Sequence, residues 1–199
     1  MFDDIKFDDG EKSLEILERL YDLSEKEDYV AITEQIKKDS HFDWGKGLNA
    51  LIISDRCPGR ANGLTDYLFE KTDLSNIMLL RTFVDAQEYI NGVIPDILIF
   101  VGYQEDKQNY RVQDIVLKQN PNAFIMMYAF LDNHIKTHCA ENGILYAFSS
   151  TKPVADCVSC IKELYTAHTE QLNHRPENKK GEKSRVISIF SKMKNRQED

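Results

Sequence analysis

The chain has 199 residues, a net charge of −8, 42% apolar and 29% charged residues. That is enough for one medium domain with a proper core plus extensions. An acidic balance argues against a general nucleic-acid binder, whose footprint is basic.

No apolar run approaches the roughly 18 residues of a membrane span, and the acidic start Met1-Phe2-Asp3-Asp4 does not read as a signal peptide. A cytoplasmic protein is therefore expected. Cys57, Cys139, Cys157 and Cys160 suit a reduced compartment better than a disulfide framework. The charge is uneven. Residues 1–45 hold 14 acids against 6 bases, and residues 175–199 hold 8 bases against 4 acids.

Taken in chain order, Glu11 to about Asp39 reads as helix, with Leu14, Leu17, Leu20 and Tyr21 on one stripe. Ser24 to Asp28 suggests a break into two helices, after which Ile32 and Ile36 continue an apolar face. Beyond Gly45 and Gly47 come five short apolar runs: Ala50–Ile53, Ile77–Leu80, Ile97–Val101, Ala123–Met127 and Ile144–Phe148. Continuous apolar runs of this length mark strands buried on both faces. Between them, helical character is predicted over about 59–71, 84–92, 105–119, 131–142 and 152–172.

Alternation of this kind predicts an α/β domain of right-handed βαβ units. For a chain this short the expected form is a flavodoxin-like, doubly wound, five-stranded parallel sheet with its functional crevice at the carboxyl ends of the strands. The organisation expected is an acidic helical extension over 1–45, the α/β domain over 46–172, and a basic linker with a short amphipathic tail over 173–199.

Pro95-Asp96-Ile97-Leu98-Ile99-Phe100-Val101 resembles the third strand of response-regulator receivers, and Asn142-Gly143-Ile144 resembles the glycine that opens their fifth. The resemblance covers about 48–170 and implies a CheY-like fold. It also implies a site at the strand ends: an acidic pair holding Mg²⁺, a phosphoacceptor Asp, a Thr or Ser, and a Lys. Here those positions read Ser54-Asp55, Val101, Tyr128, and Ser150 with Lys152-Pro153 two residues further on. Val101 has no nucleophile and one carboxylate is a poor Mg²⁺ site, so a degenerate receiver without catalysis, metal or cofactor is expected. Tyr128 is expected to fill the space of the absent phosphate. Asp106 is the nearby acid that an atypical phosphorylation route would use.

Cys157-Val158-Ser159-Cys160, with His138-Cys139 upstream, carries zinc-ligand residue types. Its place inside the last predicted helix reads instead as thiols packed as small hydrophobes. The glycines form no phosphate cradle, since Cys57-Pro58-Gly59-Arg60 lacks a Gly-Lys-Ser/Thr ending.

In the tail, Val186, Ile189, Phe190 and Met193 share a helical face that suits an acidic partner groove or an anionic membrane surface. As a strand, Arg185 to Phe190 could add to another sheet edge. Val186-Ile187-Ser188-Ile189-Phe190-Ser191 also resembles the strand that follows the atypical receiver of TadZ/CpaE-type pilus-localisation proteins. The P-loop glycines of that family are absent here, so nucleotide binding is not implied.

The function expected is a non-catalytic, phosphorylation-independent regulatory or scaffolding module. It would bind other proteins, in assembly or localisation of a pilus, secretion or conjugation apparatus. Its contact face would comprise Leu131, Ile135, Tyr146, Phe148 and Lys152, with the tail residues named above. That face, or the Leu14/Leu17/Leu20 stripe, suits a homodimer. The alternatives are a signalling receiver with an atypical site and a regulator that binds DNA through its tail.

Overall fold

The structure, a computed structural model, describes residues 10–173, and side chains from 24 to 170. The tail residues Val186, Ile189, Phe190 and Met193 therefore lie outside the described residues, as do the side chains of the Leu14/Leu17/Leu20 stripe. The elements in chain order are α1 (Gly10–Lys38), β1 (Asn49–Ile53), α2 (Pro58–Lys71), β2 (Asn76–Leu80), α3 (Phe83–Ile90) and β3 (Ile97–Val101). There follow a 3₁₀ turn (Lys107–Arg111), α4 (Val112–Gln119), β4 (Phe124–Ala129), α5 (Asn133–Glu141), β5 (Tyr146–Ser149) and α6 (Val154–Asn173). All strand pairings are parallel, in the order β2-β1-β3-β4-β5.

Strand alternation sorts the core into two layers. Ala50, Ile52, Ile97, Ile99, Val101, Phe124, Met126 and Tyr128 face α2 and α6, while Leu51, Ile53, Leu98, Phe100 and Met127 face α3, α4 and α5. β3 is buried at every residue, as its unbroken Ile-Leu-Ile-Phe-Val demands. The helix starts follow ordinary capping: the Thr82 and Asp132 side chains accept the Asp85 and Ile135 backbone N–H groups at 3.1 and 2.8 Å.

Three expectations need correction. The expected break at Ser24–Asp28 does not occur, because α1 is one helix of 29 residues. Glu and Lys dominate that stretch and favour helix, and two of its acids are pinned from outside. Residues 105–119 are not one helix but a 3₁₀ turn followed by α4, because Asn109 and Tyr110 turn inward and are buried. β5 begins two residues late: Gly143 takes φ +68, and the Ile144 N–H is held by the Cys139 carbonyl at 2.8 Å.

The N-terminal helix is part of the packing. Ile32 is buried in the α2/α6 layer and Ile36 packs against it. Contacts advance in step along α1 and α2: Tyr29 Oη donates to Asp66 at 2.9 Å and Tyr67 Oη to Asp39 at 2.9 Å. At the start of α2, Arg60 pairs with Asp28 and the Arg60 backbone N–H donates to Glu25 Oε2 at 3.2 Å. The N-cap residue Cys57 makes no side-chain cap bond, so a carboxylate borrowed from α1 meets that helix terminus. The two helices therefore run in the same sense, and the turns of α1 before Glu25 lead on past the first turn of α2.

Candidate functional site

Every strand's carboxyl end opens on the same edge, so the loops after β1, β3, β4 and β5 meet there. Ser54 ends β1 as a buried residue. Its hydroxyl donates to the Val101 carbonyl at 3.1 Å and accepts the Cys57 N–H at 3.3 Å, tying β1 to β3. Val101 is fully buried in the α2/α6 layer and offers no nucleophile. Gly102 then adopts φ +73, and a Cβ there would meet Cys57 Sγ at 2.5 Å. Only glycine fits this turn.

That turn returns Gln104 into the crevice, where the side chain is 0% exposed. Its amide Nε2 is shared among the carbonyls of Val101 and Gly102, both at 3.1 Å, and Ile53 at 3.4 Å. Its Oε1 accepts the Asp55 N–H at 3.2 Å, and its own N–H donates to Tyr110 Oη at 2.8 Å. Burial pushes the Tyr110 phenol well above its ordinary range, keeping it neutral for that bond. Asn109, equally buried, donates to the Arg81 carbonyl at 3.0 Å and to Asp55 Oδ2 at 3.4 Å. Asp55 Oδ2 also accepts the Asp106 N–H at 3.0 Å. Asp106 in turn caps the 3₁₀ turn by accepting the Gln108 N–H at 2.8 Å.

The space beside Asp55 is thus filled by Gln104, not by Tyr128 as expected. Tyr128 lies on the other layer, because strand alternation turns it toward Cys157 and α6; it packs 6.5 Å from Phe148. The structure separates the six receiver positions accordingly. Ser54 and Asp55 join the Gln104 network, whereas Tyr128, Ser150 and Lys152 line a cleft of about 460 Å³ beneath α1. Lys152 is exposed, with Nζ 5.7 Å above the Phe148 ring, and the Ser150 N–H ends the ladder on the Ala129 carbonyl at 2.9 Å.

A Mg²⁺ ion of the kind the resemblance implies does not fit these residues. It needs six oxygen ligands at close range. The carbonyls at the ends of β1 and β3 already accept N–H bonds from Gln104, placing a donor where a cation would compete. The buried side-chain oxygens left without a partner among the described residues are one on Asp55 and one on Asn109, and the latter is neutral.

Of the expected contact face, Leu131 and Tyr146 are half-buried and Lys152 is exposed, but Ile135 and Phe148 point into the core at 6% and 7% exposure. Those two cannot meet a partner without unfolding the layer they fill. Sequence reasoning missed Phe130 and Leu145, 63% and 55% exposed at the two ends of the β4–β5 edge. Tyr103 packs 5.2 Å from His134 and 5.1 Å from His138 on α5. Cys157 is buried in the α2/α6 layer and Cys139 in the opposite one, so the sheet stands between them and they cannot share a metal. Burial pushes the Cys139 thiol up to about 11 and raises Cys157 well above its ordinary value, away from the reactive thiolate.

Solved structures that this fold matches include receiver domains. A signal receiver domain of an HD domain-containing protein from Pseudomonas fluorescens Pf-5 matches at TM-score 0.50 and 10% identity, covering 67% of this chain and 98% of that one. A CheY-like response regulator receiver domain protein from Methanospirillum hungatei JF-1 matches at TM-score 0.50 and 14% identity, covering 62% and 98%. The fold is that of a response-regulator receiver. An uncharacterized protein from Neptuniibacter caesariensis shares it at TM-score 0.52 and 16% identity, covering 68% and 100%. No family model and no curated protein matches the sequence. Within the receiver fold, Gln104, Asn109 and Tyr110 were invisible as site residues: each is uncharged and lies in or beside the stretch that reads as one helix, and only the Gly102 turn and the 3₁₀ turn gather them. No helix among the described residues is long and apolar enough to cross a membrane.

Proposed function

We propose that the chain is a phosphorylation-independent receiver-like module that regulates or scaffolds by binding other proteins. The observation that carries this reading is the Gln104–Asn109–Tyr110 network, which fills the strand-end crevice and commits Asp55 to holding the 104–109 loop. A receiver switches by placing a new charge in that crevice. Here the crevice is already occupied by neutral amides, with one oxygen each of Asp55 and Asn109 left without a partner among the described residues, and position 101 is valine. The module is thus held in one state and works by presenting surface.

That surface is the β4–β5 edge with α5 and α6, revised to Phe130, Leu131, Leu145, Tyr146 and Lys152. A homodimer through it is one assembly the reading allows. The TadZ/CpaE-like tail strand makes assembly or localisation of a pilus, secretion or conjugation apparatus the setting in which to seek the partner.

Acetyl phosphate with Mg²⁺ is expected to leave no phosphoryl adduct by intact mass. Beryllofluoride with Mg²⁺ is expected to leave the amide resonances of Asp55, Gln104 and Asn109 unmoved. An adduct on Asp55 or Asp106 would instead establish a signalling receiver with an atypical site. In capture from the native cells, a defined partner should be retained by the wild-type chain and lost from Phe130→Asp with Leu145→Asp. Retention by that double variant would remove this face from the reading.

A further inference from the structure

The seat of α1 on the domain accounts for only half of that helix. Every bond that holds it, among the described residues, comes from Glu25 or later. Residues 10–24 precede this seat on the same unbroken helix. At about 100° per residue, their sequence divides into two halves of the helix circumference. Leu14, Ile16, Leu17, Leu20, Tyr21 and Leu23 take one half, with Ser13 and Ser24 at its middle. Glu11, Lys12, Glu15, Glu18, Arg19 and Asp22 take the other. Ser24, the residue of the apolar half whose side chain the structure describes, is exposed. So short a helix is marginal in water unless its apolar face is covered.

Reach removes the chain's own basic tail as the cover. The Val154 N–H bonds Gln35 Oε1 at 3.2 Å, so α6 starts level with the later turns of α1. From there α6 runs toward the amino ends of the strands, where the His168 ring meets the Asn122 carbonyl at 3.1 Å. The early turns of α1 lie in the opposite direction. By helical rise, Asn173 stands roughly 45 Å from Leu23 and roughly 60 Å from Leu14. Residues 174–185 span at most about 43 Å when fully extended. The apolar element at Val186–Met193 therefore falls short of this face in the same chain.

Charge and area favour a second copy. Glu11 and Glu18 follow the edge beside Leu14 and Tyr21, while Lys12 and Arg19 follow the edge beside Ile16 and Leu23, each pair at heptad spacing. In a parallel arrangement the basic edge of one helix meets the acidic edge of its neighbour. An antiparallel arrangement sets like charge on like. Six apolar side chains from each of two copies remove on the order of 1,200 Å² from water, enough for a specific interface.

We infer that residues 10–24 of α1 associate in parallel with the same stretch of a second copy of this chain. The inference goes beyond the scaffolding reading and uses none of the residues of the β4–β5 face. It sets the copies of the domain at one end of a shared helical stalk, so that a partner meets more than one of them at once.

Sedimentation velocity of the full chain over a range of concentrations tests it. A reversible oligomer is expected. Leu17→Glu with Leu20→Glu should raise its dissociation constant at least a hundredfold, through lost leucine burial. Both positions precede the α1–α2 seat, so the amide spectrum of β1 and β3 should stay unchanged. Glu11→Lys with Glu18→Lys should weaken association at low salt, and adding Lys12→Glu with Arg19→Glu should restore it. For orientation, Ser13→Cys alone should form an intermolecular disulfide on mild oxidation that the wild-type chain does not. A monomer at every concentration would assign the face to another occupant and overturn the inference. So would an oligomer undisturbed by the two glutamates, or a cross-link that forms only when Ser13→Cys is mixed with Ser24→Cys.

Discussion

Gln104→Ala is expected to cost the domain about 3 kcal/mol. The side chain bonds four backbone groups at once: the carbonyls of Ile53, Val101 and Gly102, and the Asp55 N–H, of which the Val101 carbonyl would keep the Ser54 hydroxyl. A buried group left without its partner costs about 1–3 kcal/mol, and a water entering the space vacated by the amide returns part of that. The three carbonyls belong to the ends of β1 and β3, so the loss falls on the centre of the sheet rather than on a fraying edge. Urea unfolding of the full chain measures it. Gln104→Met, which keeps volume but offers no N–H, should lose nearly as much, separating the bonds from the packing. If Gln104→Met proved neutral, the amide would be filling space only, and the account of a crevice held by neutral donors would fail.

The β strands were legible because burial on both faces leaves a pattern that survives without context. Ile97–Val101 is the limiting case, its bounds set by five apolar residues that no helix of that length would use. The receiver-like strand order followed from that alternation. The site was legible only where a residue's chemistry was missing. Val101 cannot attack phosphorus wherever the chain puts it, whereas the role of Gln104 depends on one positive-φ turn at Gly102. Tyr128 was misjudged for a related reason. Strand parity assigns its ring to the α2/α6 layer, and the bulk that suggested a phosphate surrogate instead carries its hydroxyl to a different cleft. Ile135 and Phe148 were assigned to a surface by analogy with a family face, but apolar residues on α5 and β5 serve the core first.

The helix α1 gives the second large effect. Its long apolar pattern announced a helix that must cover something, but not which face it would take. The answer lies in two glycines one turn apart on α2. A Cβ at Gly59 would stand 2.3 Å from the Glu25 carbonyl oxygen, and one at Gly63 would stand 2.9 Å from Ile32 Cδ1. Close approach of this kind needs side chains absent from one helix. Gly59→Ala is therefore expected to destabilise by about 2 kcal/mol: overpacking costs about 1–3 kcal/mol, and separation of the helices adds loss of the Glu25 cap. Against these stands roughly 1 kcal/mol of helix propensity gained. Gly63→Ala should cost less, since its Cβ meets side-chain rather than backbone atoms. The signature that distinguishes this from general damage is local. Hydrogen exchange in α1 should accelerate while β1 and β3 keep their protection, because the α2/α6 layer closes without α1 except at Ile32 and Ile36. Were Gly59→Ala to stabilise the protein instead, the propensity gain would exceed the clash. The close seat of α1, which walls the cleft as well as capping α2, would then be wrong.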